Sequence, residues 1–276
     1  MVLLTKIDRL TISERIQQVQ AIFQEVNQAP ESQTLDLLLS GSFGEYISVA
    51  YEAAAVKLAF ADIQAKDSSF PLWTSFLNKH GTLHGSQIHV GLGWALCETQ
   101  TFDTSFLDTL DSAWRWRVLD GYGYYSGLFL RRDAIRKQLT PSFITGDDLH
   151  AFNQGLGRSL WYLSQGESER LVRALNLFDE DRKKDLWRGV GLAATYVGGV
   201  DDGQLDEIKK EAGSLFVCFK CGTLLAIAGR QKAEQPTASS DQIAKHLSLE
   251  VSELIETLSK KSNSFKAILQ EIEGQL

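Results

Sequence analysis

Five polar or aromatic side chains fall at matching places on three similar apolar segments. Asp120, Gln154 and Arg188 each stand directly before a glycine pair, and Tyr124 and Arg158 stand four places further on. On a helix, residues i and i+4 share a face, so stacked helices would bring these five side chains onto one surface. Trp94, at the matching place of a fourth segment, and Trp161 would form its apolar edges. Such a surface suits a ligand that carries a carboxylate, a thioester carbonyl or a phosphate. Arg158 is the leading candidate, because a guanidinium offers a planar, always charged fork. The same residue types also make an inter-helix ion-pair set, Asp120 with Arg158 or Arg188. At the level of sequence a ligand surface and a structural network both remain open.

Other chemistry finds little support. Cys218-Phe-Lys-Cys221 is a lone pair in an apolar, helix-like stretch, whereas a zinc site needs a second pair or histidines at ligand spacing. Its cysteines read as buried and structural. His84 and His89 are five apart and miss the helical ligand spacing; His80 and His84 have it, but Gly81 and Gly85 interrupt that stretch. The acidic clusters Asp147-Asp148, Asp179-Glu-Asp181 and Asp201-Asp202 fall at expected helix starts, where carboxylates cap helices. A Mg²⁺–diphosphate site built from such aspartates is the alternative use. Neither a Gly-x-Ser-x-Gly elbow nor an identifiable Cys/His nucleophile pair is present. We assign no metal ligand, cofactor or catalytic residue.

The positioning elements follow from the glycines. Pairs occur in His89-Val-Gly-Leu-Gly-Trp-Ala-Leu96, Leu119-Asp-Gly-Tyr-Gly-Tyr-Tyr-Ser126, Asn153-Gln-Gly-Leu-Gly-Arg-Ser-Leu160 and Trp187-Arg-Gly-Val-Gly-Leu-Ala-Ala194. The first glycines, Gly91, Gly121, Gly155 and Gly189, advance in steps of 30, 34 and 34, and Gly222 continues the series in a degenerate copy. No strand pattern precedes any pair, so these are not phosphate-binding loops. Glycine inside a helix costs about 1 kcal/mol relative to alanine, and such use predicts close helix packing. A period near 34 is that of a helix-turn-helix repeat. The fold class predicted is all-α, an array of helical hairpins with more than about 60% helix.

Within it, the spacing predicts helices over Ser13–Gln28, with Ser13 as N-cap, and over Glu45–Gln64. From Phe70 a short helix precedes each longer glycine-bearing one: Pro71–Lys79, Thr104–Leu110, Pro141–Asp148, Glu167–Phe178 and Gln204–Glu211. Residues 1–12 read as a variable lead and residues 233–240 as a polar break. Ser240–His246, Glu250–Ser259 and Ser264–Leu276 read as three further helices. Two units are expected: a helical-repeat domain over 1–232 and a C-terminal helical cap over 233–276, since terminal repeats need a soluble outer face.

Composition narrows the partners. The 276 residues carry a formal net charge of −7, which argues against nucleic acid. The longest apolar runs, such as Gly189–Val200, are too short and glycine-rich to span a bilayer. Lys6, Asp8 and Arg9 fall within the first ten positions, and no apolar signal core is seen there; three cysteines are not a disulfide framework. A cytoplasmic protein is expected.

The blocks Ser86–Leu96, Leu119–Gly127, Phe152–Trp161 and Asp185–Ala193, in this order, resemble those of a bacterial family of unknown function, domain of unknown function 1702. Tyr51-Glu-Ala-Ala-Ala55 is similar to a more glycine-rich block of that family. The resemblance covers about residues 45–230. It implies an association with bacterial secondary metabolism, notably enediyne polyketide gene clusters, and it supplies no catalytic residue set. The function expected is therefore binding of an elongated hydrophobic metabolite or its carrier protein, as an accessory protein or an enzyme. A peptide-binding scaffold with a concave groove and a Mg²⁺-dependent isoprenoid enzyme are the alternatives. The oligomeric state is not legible in the sequence.

Overall fold

The computed structural model describes residues 10–30, 38, 43–100, 104–249, 251 and 265–276. About 80% of the described residues are helical, and no strand occurs among them. The expected helix Glu250–Ser259, apart from Val251, and most of the 1–12 lead lie outside the described residues.

Helix α1 (Ile12–Gln28) buries Ile16, Val19, Ile22 and Val26 at helical spacing, with Phe23 half-buried beside them. Its N-cap is Thr11, not Ser13. Thr11 and Glu14 cap one another, the Thr11 N–H donating to the Glu14 carboxylate at 2.8 Å. Such a box satisfies two donors at once. Ser13 lies one residue inside the helix and donates to Gln165.

Six long helices follow: α2 (Ile47–Gln64), α3 (Pro71–Glu98), α5 (Ser112–Phe129), α6 (Asp147–Ser164), α8 (Glu180–Val197) and α10 (Phe216–Lys232). Short helices stand between some of them: α4 (Thr104–Thr109), α7 (Ser168–Leu175) and α9 (Asp202–Ala212). Beyond the array lie α11 (Ala238–His246) and α12 (Phe265–Gln275). Each long helix packs on the next. Adjacent ones run in the same direction: Arg117 meets Ser86 at one level, Gly121 meets Val90 further along, and Tyr125 meets Trp94 further still.

The glycine pair explains how. Its members are two residues apart, hence about 200° around a helix of 3.6 residues per turn, and they face opposite neighbours. The first glycine meets the helix before it. A methyl group on Gly121, Gly155, Gly189 or Gly222 would stand 1.8–2.1 Å from the carbonyl oxygen of Val90, Asp120, Gln154 or Arg188. The second meets the helix after it: Gly93, Gly123, Gly157 and Gly191 lie against the carbonyls of Val118, Phe152, Leu186 and Phe219 in the same way. Backbone thus rests on backbone on both flanks, a geometry that admits Cα–H···O contacts. The sequence pointed to one small-residue stripe; the structure uses two.

Three expected boundaries change. Proline at the first turn starts α3, which continues past His80-Gly81 to Glu98 and only kinks at His84 (φ −114°, ψ 15°). The kink is held by neighbours: the His84 ring stacks on Tyr51 at 3.8 Å and its Nδ1 meets Ser48 Oγ at 3.3 Å. No helix forms over Pro141–Asp148 before α6 begins at Asp147. The preceding segment is fixed by tertiary bonds instead: Arg182 donates to the Gln138 carbonyl at 3.0 Å, and Gln138 donates to the Leu177 carbonyl. The polar break is shorter than 233–240, because Thr237 caps α11 with Ser240 as its partner.

The array curls back on itself. Arg230 of α10 donates to the Glu45 carbonyl, Tyr46 donates to the Val197 carbonyl at 2.7 Å, and α10 touches α3. Helix α1 packs on α2 and α8. The continuous stretch Asp202–Lys232 is long and apolar enough to cross a membrane, and 61% of its apolar window is buried in the fold. Gly213, at φ +55°, divides it into α9 and α10.

Candidate functional site

Curling forms a partly open cavity of about 1310 Å³, larger than the usual 300–1,000 Å³ of small-molecule sites. Helices α1, α2, α3, α5, α6, α8 and α10 all contribute to its wall. The wall has three zones.

A polar waist joins Glu52, Asp120 and Arg158 with Tyr124, Tyr162 and Tyr196. Arg158 Nη1 forms an ion pair with Asp120 Oδ1, and its guanidinium lies 4.5 Å from the Tyr124 ring centre. Gln154 donates to the other Asp120 oxygen at 2.9 Å. The Arg158 Nε is buried and has no hydrogen-bond partner among the described residues. Glu52 is 7% exposed and makes no hydrogen bond among the described residues. Burial pushes its carboxyl up to about 7; Arg158 works against that rise and Asp120 adds to it. For Arg158, burial opposes the charge, but Asp120 and Glu52 more than offset it and keep the guanidinium protonated. Burial raises all three tyrosines.

An aromatic end is formed by Phe23, Trp94, Tyr125 and Phe129. Trp94 packs on each of the other three at centroid distances of 4.6–5.5 Å. At the other end stand Trp114, Trp116, Arg117 and Lys232, with Ser86 and Gln87 beside them.

Of the residues singled out in the sequence, Trp94, Asp120, Tyr124 and Arg158 line the cavity. Three do not. Gln154 is fully buried between helices, donating to Asp120 and accepting from Arg188 Nε at 2.8 Å. Arg188 is held by Asp185 at 2.6 Å and lies over Phe265. Trp161 is 1% exposed in the core, and Tyr162 takes its expected place in the wall. The cavity-facing stretch keeps to the same sequence columns and shortens along successive helices. It covers positions 86–98 on α3 but only 192 and 196 on α8. Asp120, Gln154 and Arg188 therefore occupy one sequence column while only Asp120 reaches the cavity. One chain of bonds, Arg188–Gln154–Asp120–Arg158, runs from two residues buried between helices to two that line the cavity.

Sequence reasoning missed Glu52, Arg117, Tyr162, Tyr196 and Lys232. Tyr162 and Tyr196 were findable, since each stands four residues beyond a residue of the Trp94–Tyr124–Arg158–Leu192 column. Glu52 lies in the block where alanines replace glycines, yet its carbonyl is the one that Gly91 meets.

Chemically, the waist can exchange a proton at Glu52 near neutral pH and hold a carbonyl or carboxylate at Arg158. The cysteines are poor nucleophiles: burial pushes the Cys97 thiol up to about 11 and Cys221 to about 12. The acidic clusters fall at helix starts, as expected, but of the three only Asp201 caps with its side chain, in a box with Gln204; Asp179 stands at the N-cap of α8 without a cap bond, and Asp148 pairs with Arg115. Among the described residues, no group of three or more His, Cys, Asp or Glu is placed to hold a metal.

Family comparison agrees with the glycine blocks and extends them on both sides. The chain belongs to the family described as Protein of unknown function (DUF1702), whose profile matches residues 12–267. No curated protein and no solved structure matches it.

Proposed function

We propose that this member of the family binds an elongated hydrophobic metabolite in the central cavity, either free or presented by a carrier protein. Its setting would be bacterial secondary metabolism of the polyketide type, in the cytoplasm, as an accessory protein or an enzyme. The observation that carries the reading is a large cavity with unsatisfied polar groups in its own wall. Gln87 Oε1, Trp116 Nε1 and Arg158 Nε are all buried without a partner among the described residues, and all three residues line the cavity. Buried polar groups are almost always bonded, so such orphans mark places where a ligand supplies the partner. In this reading the long helices are successive copies of a unit near 34 residues, which curl far enough to surround the ligand.

A peptide groove is the weaker reading. Helix α1 contributes Val19, Phe23 and Asn27 to the wall on the side that an open groove would leave free. A Mg²⁺ site is also disfavoured, because Arg158 already pairs with Asp120 and draws on Glu52. Native mass spectrometry of protein purified from its own host tests the proposal. A retained small molecule at one per chain supports it. Only the bare chain mass, from preparations that keep the fold, counts against it.

A further inference from the structure

Two cations stand close together at one end of the cavity, with Asp120 acting on Arg117 only at a distance. Arg117 and Lys232 form no ion pair among the described residues, although Asp111 also lines this part of the wall. They are held in place by aromatic rings. The Arg117 guanidinium lies 4.1 Å from the Trp116 ring centre and 5.0 Å from that of Trp114, and Lys232 Nζ lies 4.8 Å from Trp114. The rings are themselves backed: Phe265 stacks on Trp116 at 4.5 Å, and buried His89 stacks on Trp114 at 4.8 Å. Ser86 accepts the Arg117 Nε–H at 2.6 Å, which leaves the rest of the fork available. Trp116, nine-tenths buried, has an indole N–H without a partner among the described residues. Placing two like charges together in a partly dry wall is unfavourable. Burial lowers Arg117 to about 10, and burial and then Arg117 lower Lys232. An oxyanion at this place would relieve that cost and accept from the unbonded donors.

We propose that the Arg117–Lys232–Trp116 corner is a headgroup site for a carboxylate or phosphate, so that the cavity's ligand is an anionic amphiphile. This rests on the cavity reading above. Geometry sets the ligand's direction. Arg117, Asp120, Tyr124 and Leu128 follow one another along one face of α5 and all line the cavity. From Arg117 to Leu128 is about 16 Å at 1.5 Å per residue, near the length of a twelve-carbon chain. The head sits between Arg117 and Lys232, which is exposed at the rim. Oxygen substituents on the first carbons pass the waist of Glu52, Arg158 and the tyrosines. The tail ends among Trp94, Tyr125 and Phe129.

The test titrates dodecanoate, dodecyl phosphate and dodecanol into the full chain and reads the fluorescence of Trp94, Trp114 and Trp116. In the native protein both anions, or one of them, bind roughly tenfold or more tightly than dodecanol, the worth of a charge-assisted bond. A preference between the two identifies the head as phosphate or carboxylate. Arg117→Gln and, independently, Lys232→Gln reduce that anion-to-dodecanol ratio. Lys232 lies at the exposed rim, so its variant keeps the test valid even if Arg117→Gln fails to fold. Equal binding of alcohol and anions by the native protein overturns the headgroup assignment alone, as does an anion advantage that survives both substitutions. Failure of all three chains to bind overturns the cavity reading and this inference with it.

Discussion

Glu52 and Arg158 carry opposite charges in a setting that makes both costly to alter. Because the folded-state pKa of Glu52 lies near 7, above its ordinary 4.5, the native state binds more protons than the unfolded chain between those values. Stability therefore falls as pH rises through that window and levels off above it. The span of the shift corresponds to roughly 3 kcal/mol as an upper figure. His84 and His89, lowered to about 4 by burial, slope the other way below pH 6.5, so the difference between variant and native protein is the quantity to read. Glu52→Gln should remove the downward slope and gain stability over the native protein at pH 8 in denaturant titrations. An unchanged pH dependence would show that Glu52 is not buried as a strained acid. For Arg158→Gln, the stranded Asp120 carboxylate should cost about 3–5 kcal/mol. Adding Asp120→Asn should restore most of that stability. Ligand binding should stay lost in the double variant if Arg158 serves the cavity. The single substitution alone cannot separate pairing from binding, because Arg158 does both.

At the scale of elements, glycine does two opposite jobs, and alanine distinguishes them. A methyl group at Gly189 would stand 1.9 Å from the Gln154 carbonyl oxygen, whereas at Gly229 of α10 it meets nothing within 4 Å. Gly189→Ala should therefore force α6 and α8 apart and cost about 1–3 kcal/mol, with leucine worse. Gly229→Ala should stabilise by up to about 1 kcal/mol through helix propensity. Thermal melting of the two variants reads both signs. If Gly189→Ala melts like the native protein, backbone contact is not what holds the array. This element was the most legible in the sequence, since glycine pairs in apolar helices have few uses other than close approach. The ends of helices were less so. Just before Pro141, the Gln138 carbonyl accepts from Arg182 and the Gln138 side chain donates to the Leu177 carbonyl, partners some 40 residues away that no local pattern reveals.

The whole molecule turns a linear pattern into an enclosure. Sequence columns told which residues share a face, so Trp94, Asp120, Tyr124 and Arg158 were found. They did not tell how much of each face neighbouring elements cover, as Phe265 covers Arg188, and so Gln154, Trp161 and Arg188 were placed in the wall when they lie behind it. Nor did they show that α10 returns to α3 and α5, which is what brings Lys232 beside Trp114 and creates the cationic end. Gly229 lies in the cavity wall with open space where a side chain would begin, so Gly229→Trp should fill the chamber without touching the backbone contacts of the array. The most direct test of the central claim compares this variant with the native protein in calorimetric titration with dodecanoate. The account requires one saturable site per chain in the native protein and none in Gly229→Trp at unchanged helicity. Equal binding by both would place the ligand elsewhere and contradict the cavity as the functional site.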